Sequence, residues 1–140
     1  MDDKKRELMQ LALDARANAY APYSHYFVGA AALMGSGKIY VGANVENASY
    51  PCGICAERNA IFHAAAEGEC ELKMIAIAGG PERGELQYAY PCGVCRQVMR
   101  EFSPDPSRVT VLVGTSVEDI RSYTLEELLP ESFGPENLKG

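Results

Sequence analysis

The stretch Lys73-Met74-Ile75-Ala76-Ile77-Ala78 is a compact apolar segment in the middle of the chain. A short apolar run of this kind predicts a buried β-strand. The preceding segment, Cys55 to Glu67, is rich in Ala, Glu and Arg, and Gly68 follows it, as is typical at the end of a helix. Val94 to Phe102 also predicts a helix, which the prolines beyond it would end. A buried strand between two helices indicates an α/β fold class.

The segments farther out extend this pattern in both directions. Two apolar runs, Val28 to Met34 and Ile39 to Ala43, flank Gly35-Ser36-Gly37 and predict a β-hairpin. The other predicted elements are an amphipathic helix over residues 3–20 ended by Pro22, a strand over residues 109–113, and a short helix over residues 124–129 with Thr124 and Glu127 at capping-box spacing. We expect loops at residues 44–53 and 79–91 and after Pro130. Because strands alternate with helices after the hairpin, the sequence predicts one three-layer α/β domain over residues 1–140 with a mixed sheet.

Charge and composition restrict the class of partner. The chain has 13 Lys and Arg against 19 Asp and Glu, a net charge of −6 and a pI near 4.9. Proteins that bind a phosphate backbone usually carry the opposite sign, so we expect a small-molecule ligand and no nucleic acid. The apolar stretches are too short to cross a membrane, and the N-terminal residues lack the apolar core of a secretory signal. We therefore expect a cytoplasmic protein, in which the five cysteines stay reduced or hold a metal.

Two similar pentapeptides contain four of these cysteines. Pro51-Cys52-Gly53-Ile54-Cys55 and Pro91-Cys92-Gly93-Val94-Cys95 lie forty positions apart. Four thiolates in two such pairs are typical of a closed structural zinc site. However, 36 residues that include a predicted helix and strand separate the pairs, whereas zinc ribbons usually have about 15–20.

A second interpretation leaves Cys52 out. Cys55, Cys92 and Cys95 would then bind the metal, and water would complete the tetrahedron as in a catalytic zinc site. All three lie at or near predicted helix N-termini, which favour the thiolate form. Glu57 lies two residues beyond Cys55, where a carboxylate could shuttle protons without binding the metal. This set matches the zinc-deaminase pattern of His or Cys, any residue, Glu, and then Pro-Cys-x-x-Cys.

With these motifs, the sequence resembles the small, three-cysteine, homotetrameric cytidine deaminases. The resemblance covers nearly the whole chain. It rests on Ala21-Pro22-Tyr23-Ser24-His25, Val28-Gly29-Ala30-Ala31, Asn44-Val45-Glu46-Asn47-Ala48, Cys55-Ala56-Glu57-Arg58, Pro91-Cys92-Gly93-Val94-Cys95-Arg96-Gln97 and Leu128-Leu129-Pro130-Glu131-Ser132-Phe133-Gly134-Pro135. It implies the three-layer α/β/α fold of that family, with a mixed sheet of about five strands.

The resemblance also implies roles for individual residues. Cys55, Cys92 and Cys95 would hold one Zn²⁺ per subunit, with Glu57 as the general acid and base. The implied substrate contacts are Asn44 and Glu46 to the ribose 3′-hydroxyl, the Ala56 N–H to the pyrimidine carbonyl, Ala48 and Tyr50 to the 5′-hydroxyl from a neighbouring subunit, and Phe133 to the base of an adjoining site.

Two positions depart from the family pattern. Relatives often have Phe where this chain has Tyr26, with Phe27 beside it, so either ring could stack on the base. Cys52 stands where relatives usually carry Leu or Met, and the resemblance implies that it is a spare thiol.

The predicted role of Arg58 depends on the charge of the zinc site. Zinc with three thiolates has a formal charge of −1 and is a weaker Lewis acid than zinc held by imidazoles. A guanidinium that donates to a ligand thiolate would partly offset this charge, and Arg58 is the best placed to do so.

The sequence thus predicts a zinc-dependent hydrolase that deaminates free cytidine and 2′-deoxycytidine to uridine and 2′-deoxyuridine, releasing ammonia for pyrimidine salvage. Three alternatives remain. They are a structural zinc module that binds a partner protein, a deaminase of polynucleotides and a deaminase of nucleoside analogues of the blasticidin type. The acidic pI and Asn44-x-Glu46-Asn47 favour plain cytidine over the last two.

Overall fold

The computed structural model describes residues 2–139 and contains one five-stranded sheet. The strands are β1 (Tyr26–Met34), β2 (Ile39–Ala43), β3 (Leu72–Pro81), β4 (Thr110–Ser116) and β5 (Asp119–Thr124). Their spatial order is β2-β1-β3-β4-β5. Only β3 and β4 run parallel to each other, while the other neighbouring pairs are antiparallel, so the predicted mixed sheet is confirmed.

Helices cover both faces of this sheet. They are α1 (Asp3–Ala15), α2 (Ala56–Ala66), α3 (Gly93–Glu101), α4 (Leu125–Leu128) and α5 (Glu136–Lys139), with short 3₁₀ turns at Arg16–Asn18, Tyr50–Cys52 and Pro106–Arg108. Among the helices that the structure describes, none combines the length and apolar character needed to span a bilayer.

Alternating side chains of the strands divide the core into two layers. On one face, Leu8 and Met9 of α1 pack with Ala31 and Ala76 of the sheet. On the other face, Ile61 of α2 and Met99 of α3 belong to a cluster with sheet residues. The sheet residues of that cluster are Ala30, Ala32, Met34, Leu72, Ile75, Ile77, Val111 and Val113. The predicted three-layer α/β/α fold is therefore confirmed.

Small residues let the helices approach the sheet closely. A Cβ at Gly42 of β2 would lie 2.5 Å from Ala60 N and 2.8 Å from Ala56 O, both in the backbone of α2. A Cβ at Gly29 of β1 would lie 2.0 Å from Ala12 O of α1 on the opposite face. The absence of a side chain at Gly42 therefore fixes how near α2 lies to the sheet.

The first helix differs from its predicted extent. It ends at Ala15 and continues only as a 3₁₀ turn, well before Pro22, so the predicted end at residue 20 was wrong. The reason is tertiary: the Arg16 guanidinium donates to Phe27 O at 2.8 Å and to Gly80 O at 3.1 Å. Tyr20 N then donates to Asn44 O at 2.9 Å, which requires extended chain at that point.

Two elements were absent from the sequence prediction. β5 lies at the sheet edge, paired with β4 alone, and its sequence Asp119-Ile120-Arg121-Ser122-Tyr123-Thr124 lacks an apolar run. The short α5 lies in the tail that was predicted as a loop. The predicted helix after β5 is present as α4, with the complete Thr124–Glu127 capping box.

Candidate active site

Two helix N-termini bring three cysteines together. Cys55 is the N-cap residue of α2, Cys92 is the N-cap residue of α3, and Cys95 lies in the first turn of α3. Their sulfur atoms all lie within 4.8 Å of one another, and the Sγ atoms of Cys92 and Cys95 are 3.6 Å apart. Soft sulfur ligands at this spacing fit a single Zn²⁺ ion, as the sequence predicted.

Cys52 lies outside this cluster. It is exposed, in the 3₁₀ turn Tyr50–Cys52, and it does not belong to the metal-ligating group found among residues 2–139. The closed site with four thiolates is therefore not the arrangement of the described chain. A three-sulfur cluster leaves one tetrahedral position for a non-protein ligand.

The guanidinium of Arg58 contacts the sulfur cluster. Its Nη2 donates to Cys55 Sγ at 3.3 Å, because residues three apart on a helix face the same side. The bond to this sulfur raises the pKa of Arg58 above its usual value and keeps the side chain charged. Its Nε is buried and has no hydrogen-bond partner among the described residues, which leaves a donor free beside the sulfurs. The donor set and the adjacent positive charge both fit a metal held by thiolates.

The pKa values of two of the clustered thiols shift in opposite directions. Interaction with the Cys95 sulfhydryl, and then with the Arg58 guanidinium, lowers the pKa of Cys55, while the neighbouring Cys55 raises the pKa of Cys95. A lowered thiol pKa favours the thiolate, the form that binds zinc.

Glu57 is a buried carboxyl group beside the sulfurs. Its exposed fraction is 4%, although it lies in the first turn of α2. Burial raises its pKa to about 7, and the negative Cys55 contributes in the same direction. A carboxyl group with a pKa near neutrality can both accept and donate a proton, as a general acid and base must.

A cavity of about 490 Å³ adjoins this cluster at Arg58. The loop before Cys55 forms its wall and is closed by paired hydrogen bonds, Val45 N to Ile54 O at 3.0 Å and Ile54 N to Val45 O at 2.9 Å. The lining residues are Tyr23, Ser24, Asn44, Val45, Glu46, Asn47, Tyr50, Gly53, Ile54 and Arg58. The cavity therefore brings three predicted substrate contacts, Asn44, Glu46 and Tyr50, to one place.

Asn44 and Glu46 are both held by the chain itself. Asn44 accepts from Val28 N at 2.9 Å and donates to Tyr26 O at 2.9 Å, so its amide spans the start of β1. Glu46 accepts hydrogen bonds from the turn that precedes β1, including Tyr23 N at 3.0 Å. Both side chains therefore have fixed orientations at the cavity wall.

The structure distinguishes the two aromatic candidates at the start of β1. Tyr26 and Val28 lie on the sheet face covered by α2 and α3. Val28 packs against the core cluster on that face, and both side chains lie close to the point that a Cβ at Gly79 would occupy. Strand alternation places Phe27 on the α1 face. The Tyr26 hydroxyl donates to Gln87 Oε1 at 3.1 Å. Of the two rings, only Tyr26 is thus on the side of the cysteine cluster.

Three other predicted contacts, Ala48, Ala56 and Phe133, are not among the residues that line the cavity in a single chain. Ala56 is the first residue of α2, where backbone N–H groups have no partner within the helix. Tyr50 is 78% exposed and Phe133 58% exposed, and Ala48 is also exposed. Phe133 is not among the cavity residues, and its carbonyl accepts from Gln97 Nε2 of α3 at 2.9 Å.

Sequence reasoning assigned no role to two residues that touch predicted site residues. Ser24 binds Glu46, and Gln87 binds Tyr26. Ser24 belongs to the Ala21–His25 motif, which was a signal without an assigned partner. Gln87 lies in a predicted loop, and nothing in the sequence indicated its contact.

Comparisons with known proteins agree with this arrangement. Residues 2–113 match the family model described as the cytidine and deoxycytidylate deaminase zinc-binding region. A cytidine deaminase of Halalkalibacterium halodurans is 42% identical, over 96% of this chain and 97% of its own length. A cytidine deaminase of Sporosarcina psychrophila is 43% identical, over 89% of this chain and 87% of its own length.

A solved structure extends the similarity to the fold. The crystal structure of cytidine deaminase from Burkholderia pseudomallei superposes with a TM-score of 0.79 at 41% identity, covering 95% of this chain and 100% of that one. The family match spans the cysteine cluster, Glu57 and the cavity wall. The chain therefore belongs to the cytidine and deoxycytidylate deaminase family and is a zinc-binding enzyme of that family.

Proposed function

We propose that this single-domain enzyme deaminates free cytidine and 2′-deoxycytidine, giving uridine or 2′-deoxyuridine and ammonia, as a step of pyrimidine salvage in the cytoplasm. The observation that carries the proposal is Glu57, a buried carboxyl group that follows Cys55 of the sulfur cluster by two residues and precedes Arg58, which lines the cavity. The names of the matched relatives support the same reaction.

The three cysteines and Glu57 divide the chemistry. Cys55, Cys92 and Cys95 would hold one zinc ion, which when bound supplies the Lewis acidity that makes water a nucleophile near neutral pH. Glu57 takes a proton from the attacking water and delivers it to N3 of the cytosine ring. It then moves a second proton from the new C4 hydroxyl to the amino nitrogen, so that the C4–N bond breaks, ammonia leaves and C4 becomes a carbonyl. Burial, which raises the pKa of Glu57 to about 7, suits both proton transfers.

The cavity wall would bind the sugar, and residues at the start of α2 and of β1 would orient the base. Asn44 and Glu46 offer a fixed amide and a fixed carboxylate for the ribose 3′-hydroxyl. The first backbone N–H of α2, at Ala56, would meet the pyrimidine carbonyl, and the ring of Tyr26 would stack on the base. A site that binds a free 3′-hydroxyl disfavours a polynucleotide substrate, because the 3′-oxygen of an internal nucleotide belongs to a phosphodiester.

Subunits would share these sites in a homotetramer. Ala48, Tyr50 and Phe133 are exposed in a single chain, so their side chains are accessible to a neighbouring subunit. The tail that carries Phe133 is held by α3 through Gln97 Nε2 and Phe133 O. This contact would present the ring outward, toward an adjoining site.

The reaction is tested by measuring ammonia release from cytidine, 2′-deoxycytidine and a cytosine-containing oligonucleotide. We expect turnover of both nucleosides and none of the oligonucleotide. Glu57→Gln keeps the shape of the side chain but cannot shuttle a proton, so kcat should fall by at least about 10²-fold while zinc stays bound. Wild-type turnover by Glu57→Gln, or activity on the oligonucleotide alone, would refute the proposal.

Sharing between subunits has a separate test. Glu57→Gln and Phe133→Ala protomers are each expected to be poorly active, and the two are co-expressed with different tags and purified as hybrids. If Phe133 serves a neighbour's site, some hybrid sites combine an intact Glu57 with an intact Phe133 and regain activity. Activity no higher than the average of the two parents would place Phe133 in its own subunit's function instead.

A further inference from the structure

The turn before β1 is built around the Glu46 carboxylate. Oε1 accepts from Tyr23 N at 3.0 Å and from Ser24 N at 3.1 Å. Oε2 accepts from the hydroxyl of Ser24. Ser24 thus bonds both oxygens of a carboxylate that lies 22 positions later in the sequence.

The Ser24 hydroxyl is itself fixed. Its oxygen accepts from Tyr26 N at 3.0 Å, so its single proton points to Glu46. The turn is completed by His25, whose φ of 57° lies in the left-handed region. Two backbone bonds hold His25 there, from its N to Ala21 O at 2.9 Å and from Glu82 N to its O at 2.7 Å. The carboxylate is therefore bound to a rigid donor group.

The number of free acceptor positions on the Glu46 carboxylate limits how many hydrogen-bond donors it can bind. An ionised carboxylate offers about four lone-pair directions, two on each oxygen. Both directions on Glu46 Oε1 and one on Oε2 are taken by the turn. One direction on Oε2 remains. The hydroxyl of Ser24 also lowers the pKa of Glu46, so the carboxylate stays an acceptor only.

We propose that Ser24 is a positioning residue for substrate recognition: it fixes Glu46 and leaves one acceptor position, which takes one hydroxyl donor of the nucleoside sugar. The inference rests on the proposed function, because it takes the ligand at Glu46 to be a ribose 3′-hydroxyl. Ser24 adds to that function the reason why Glu46 discriminates. A carboxylate held in one rotamer aligns its remaining lone pair before the substrate arrives, at little entropic cost.

Removing the Ser24 hydroxyl should therefore weaken discrimination more than it weakens the fold. In Ser24→Ala, Glu46 keeps its two backbone donors on Oε1, but Oε2 gains a free lone pair that water can occupy. We expect kcat/KM for cytidine to fall roughly 3- to 10-fold, mainly through KM. The ratio of kcat/KM for cytidine over 3′-deoxycytidine should fall by a similar factor.

Ser36 provides a matched control. Its hydroxyl also accepts from the backbone N–H two residues later, Lys38 N at 3.2 Å, but the structure gives it no contact with a carboxylate. Ser36→Ala should leave both kcat/KM values unchanged. Ser24→Thr retains a hydroxyl and should retain the wild-type ratio. A thermal unfolding midpoint for each variant separates loss of fold from loss of recognition.

Glu46→Gln separates failure of this inference from failure of the proposed function. If Glu46→Gln lowers the cytidine to 3′-deoxycytidine ratio and Ser24→Ala, folded, does not, the role of Ser24 is overturned and the function stands. If Glu46→Gln leaves the ratio unchanged, the sugar-binding role of Glu46 is overturned, and that of Ser24 with it. The double variant supports coupling if its ratio equals that of Glu46→Gln alone, and a further loss overturns it.

Discussion

Arg58 Nη2 lies 3.3 Å from the sulfur of Cys55, three positions earlier at the start of the same helix. This places a positive charge against the cluster. Zinc together with three thiolates would otherwise carry a formal charge of −1. A hydrogen bond to a ligand sulfur withdraws electron density from it and also fixes its orientation. Residues three apart at the start of a helix lie on one face, so Cys55-Ala56-Glu57-Arg58 places the ligand and its partner side by side.

Arg58→Gln should weaken both metal retention and chemistry. We expect zinc transfer to a chelator to become roughly 10- to 100-fold easier, with kcat reduced more than KM is raised. A competition titration with a colorimetric chelator and steady-state kinetics measure the two effects. Arg108→Gln, at an exposed arginine in the Pro106–Arg108 turn, should change neither. Wild-type zinc affinity and kcat in Arg58→Gln would contradict charge compensation.

Cys52→Ser should be nearly silent. Cys52 is exposed and outside the sulfur cluster, so its replacement removes no ligand and little packing. Zinc content, by elemental analysis, should stay at about one ion per chain, and the unfolding midpoint should stay within the range of neutral surface changes. Cys55→Ser is the matched comparison and should lose metal. Equal zinc loss in both variants would restore the four-thiolate alternative.

The sequence predicted the helices and strands whose apolar residues form a recognisable local pattern. The apolar runs within β1, β3 and β4 were recognisable because their residues lie in the core. The edge strand β2 was recognisable because its own run is apolar and the turn Gly35-Ser36-Gly37 joins it to β1. β5 was not, since an edge strand with one neighbour can consist of polar residues. The end of α1 was misplaced because Arg16 binds carbonyls of β1 and β3, a tertiary contact with no local signal.

In the candidate site, too, local sequence signals were predictable and tertiary contacts were not. Spacing identified Cys55, Cys92 and Cys95, because metal ligands require fixed residue types at helix starts. The Ser24–Glu46 contact was not predicted, since its geometry depends on a left-handed His25 and joins residues 22 positions apart.

Gly42→Ala should damage stability and activity together. Its new Cβ would lie 2.5 Å from Ala60 N, so the backbone of α2 must move away from the sheet. We expect a loss of about 1–3 kcal/mol in the free energy of unfolding. Because α2 carries Glu57 and Arg58, kcat should also fall, even at temperatures where the variant is folded.

Gly29→Ala is the comparison for this variant. It creates a similar clash, 2.0 Å from Ala12 O, but against α1 on the face away from the cysteines. It should lower stability with a much smaller effect on kcat at a temperature where both variants are folded. Chemical denaturation and steady-state kinetics on both variants make the comparison. A Gly42→Ala variant with full kcat would show that the position of α2 is not critical.

Asp119 should contribute stability that acid removes. Its carboxylate accepts from Thr115 Oγ1 and from the Tyr88 hydroxyl, the latter at 2.6 Å, and these bonds, the one from Thr115 first, lower its pKa. A carboxyl group with a lowered pKa in the folded state stabilises the fold above its unfolded pKa of about 3.9. This contribution is lost as the pH falls through the folded value.

The sign of this effect can be read from Asp119→Asn. At pH 7 the variant should unfold at a lower temperature than wild type, and the difference should shrink as the pH falls below about 4. Acid also releases zinc from the thiolates of both proteins, so only the difference between them reports on Asp119. Tyr88→Phe removes one donor to Asp119. The pH-dependent difference between Tyr88→Phe and the double variant Tyr88→Phe/Asp119→Asn should therefore be smaller than that between wild type and Asp119→Asn. A gap between Asp119→Asn and wild type that stays constant from pH 7 to pH 3 would mean that these hydrogen bonds do not favour the ionised carboxylate, because stabilisation of the charged form cannot survive its protonation.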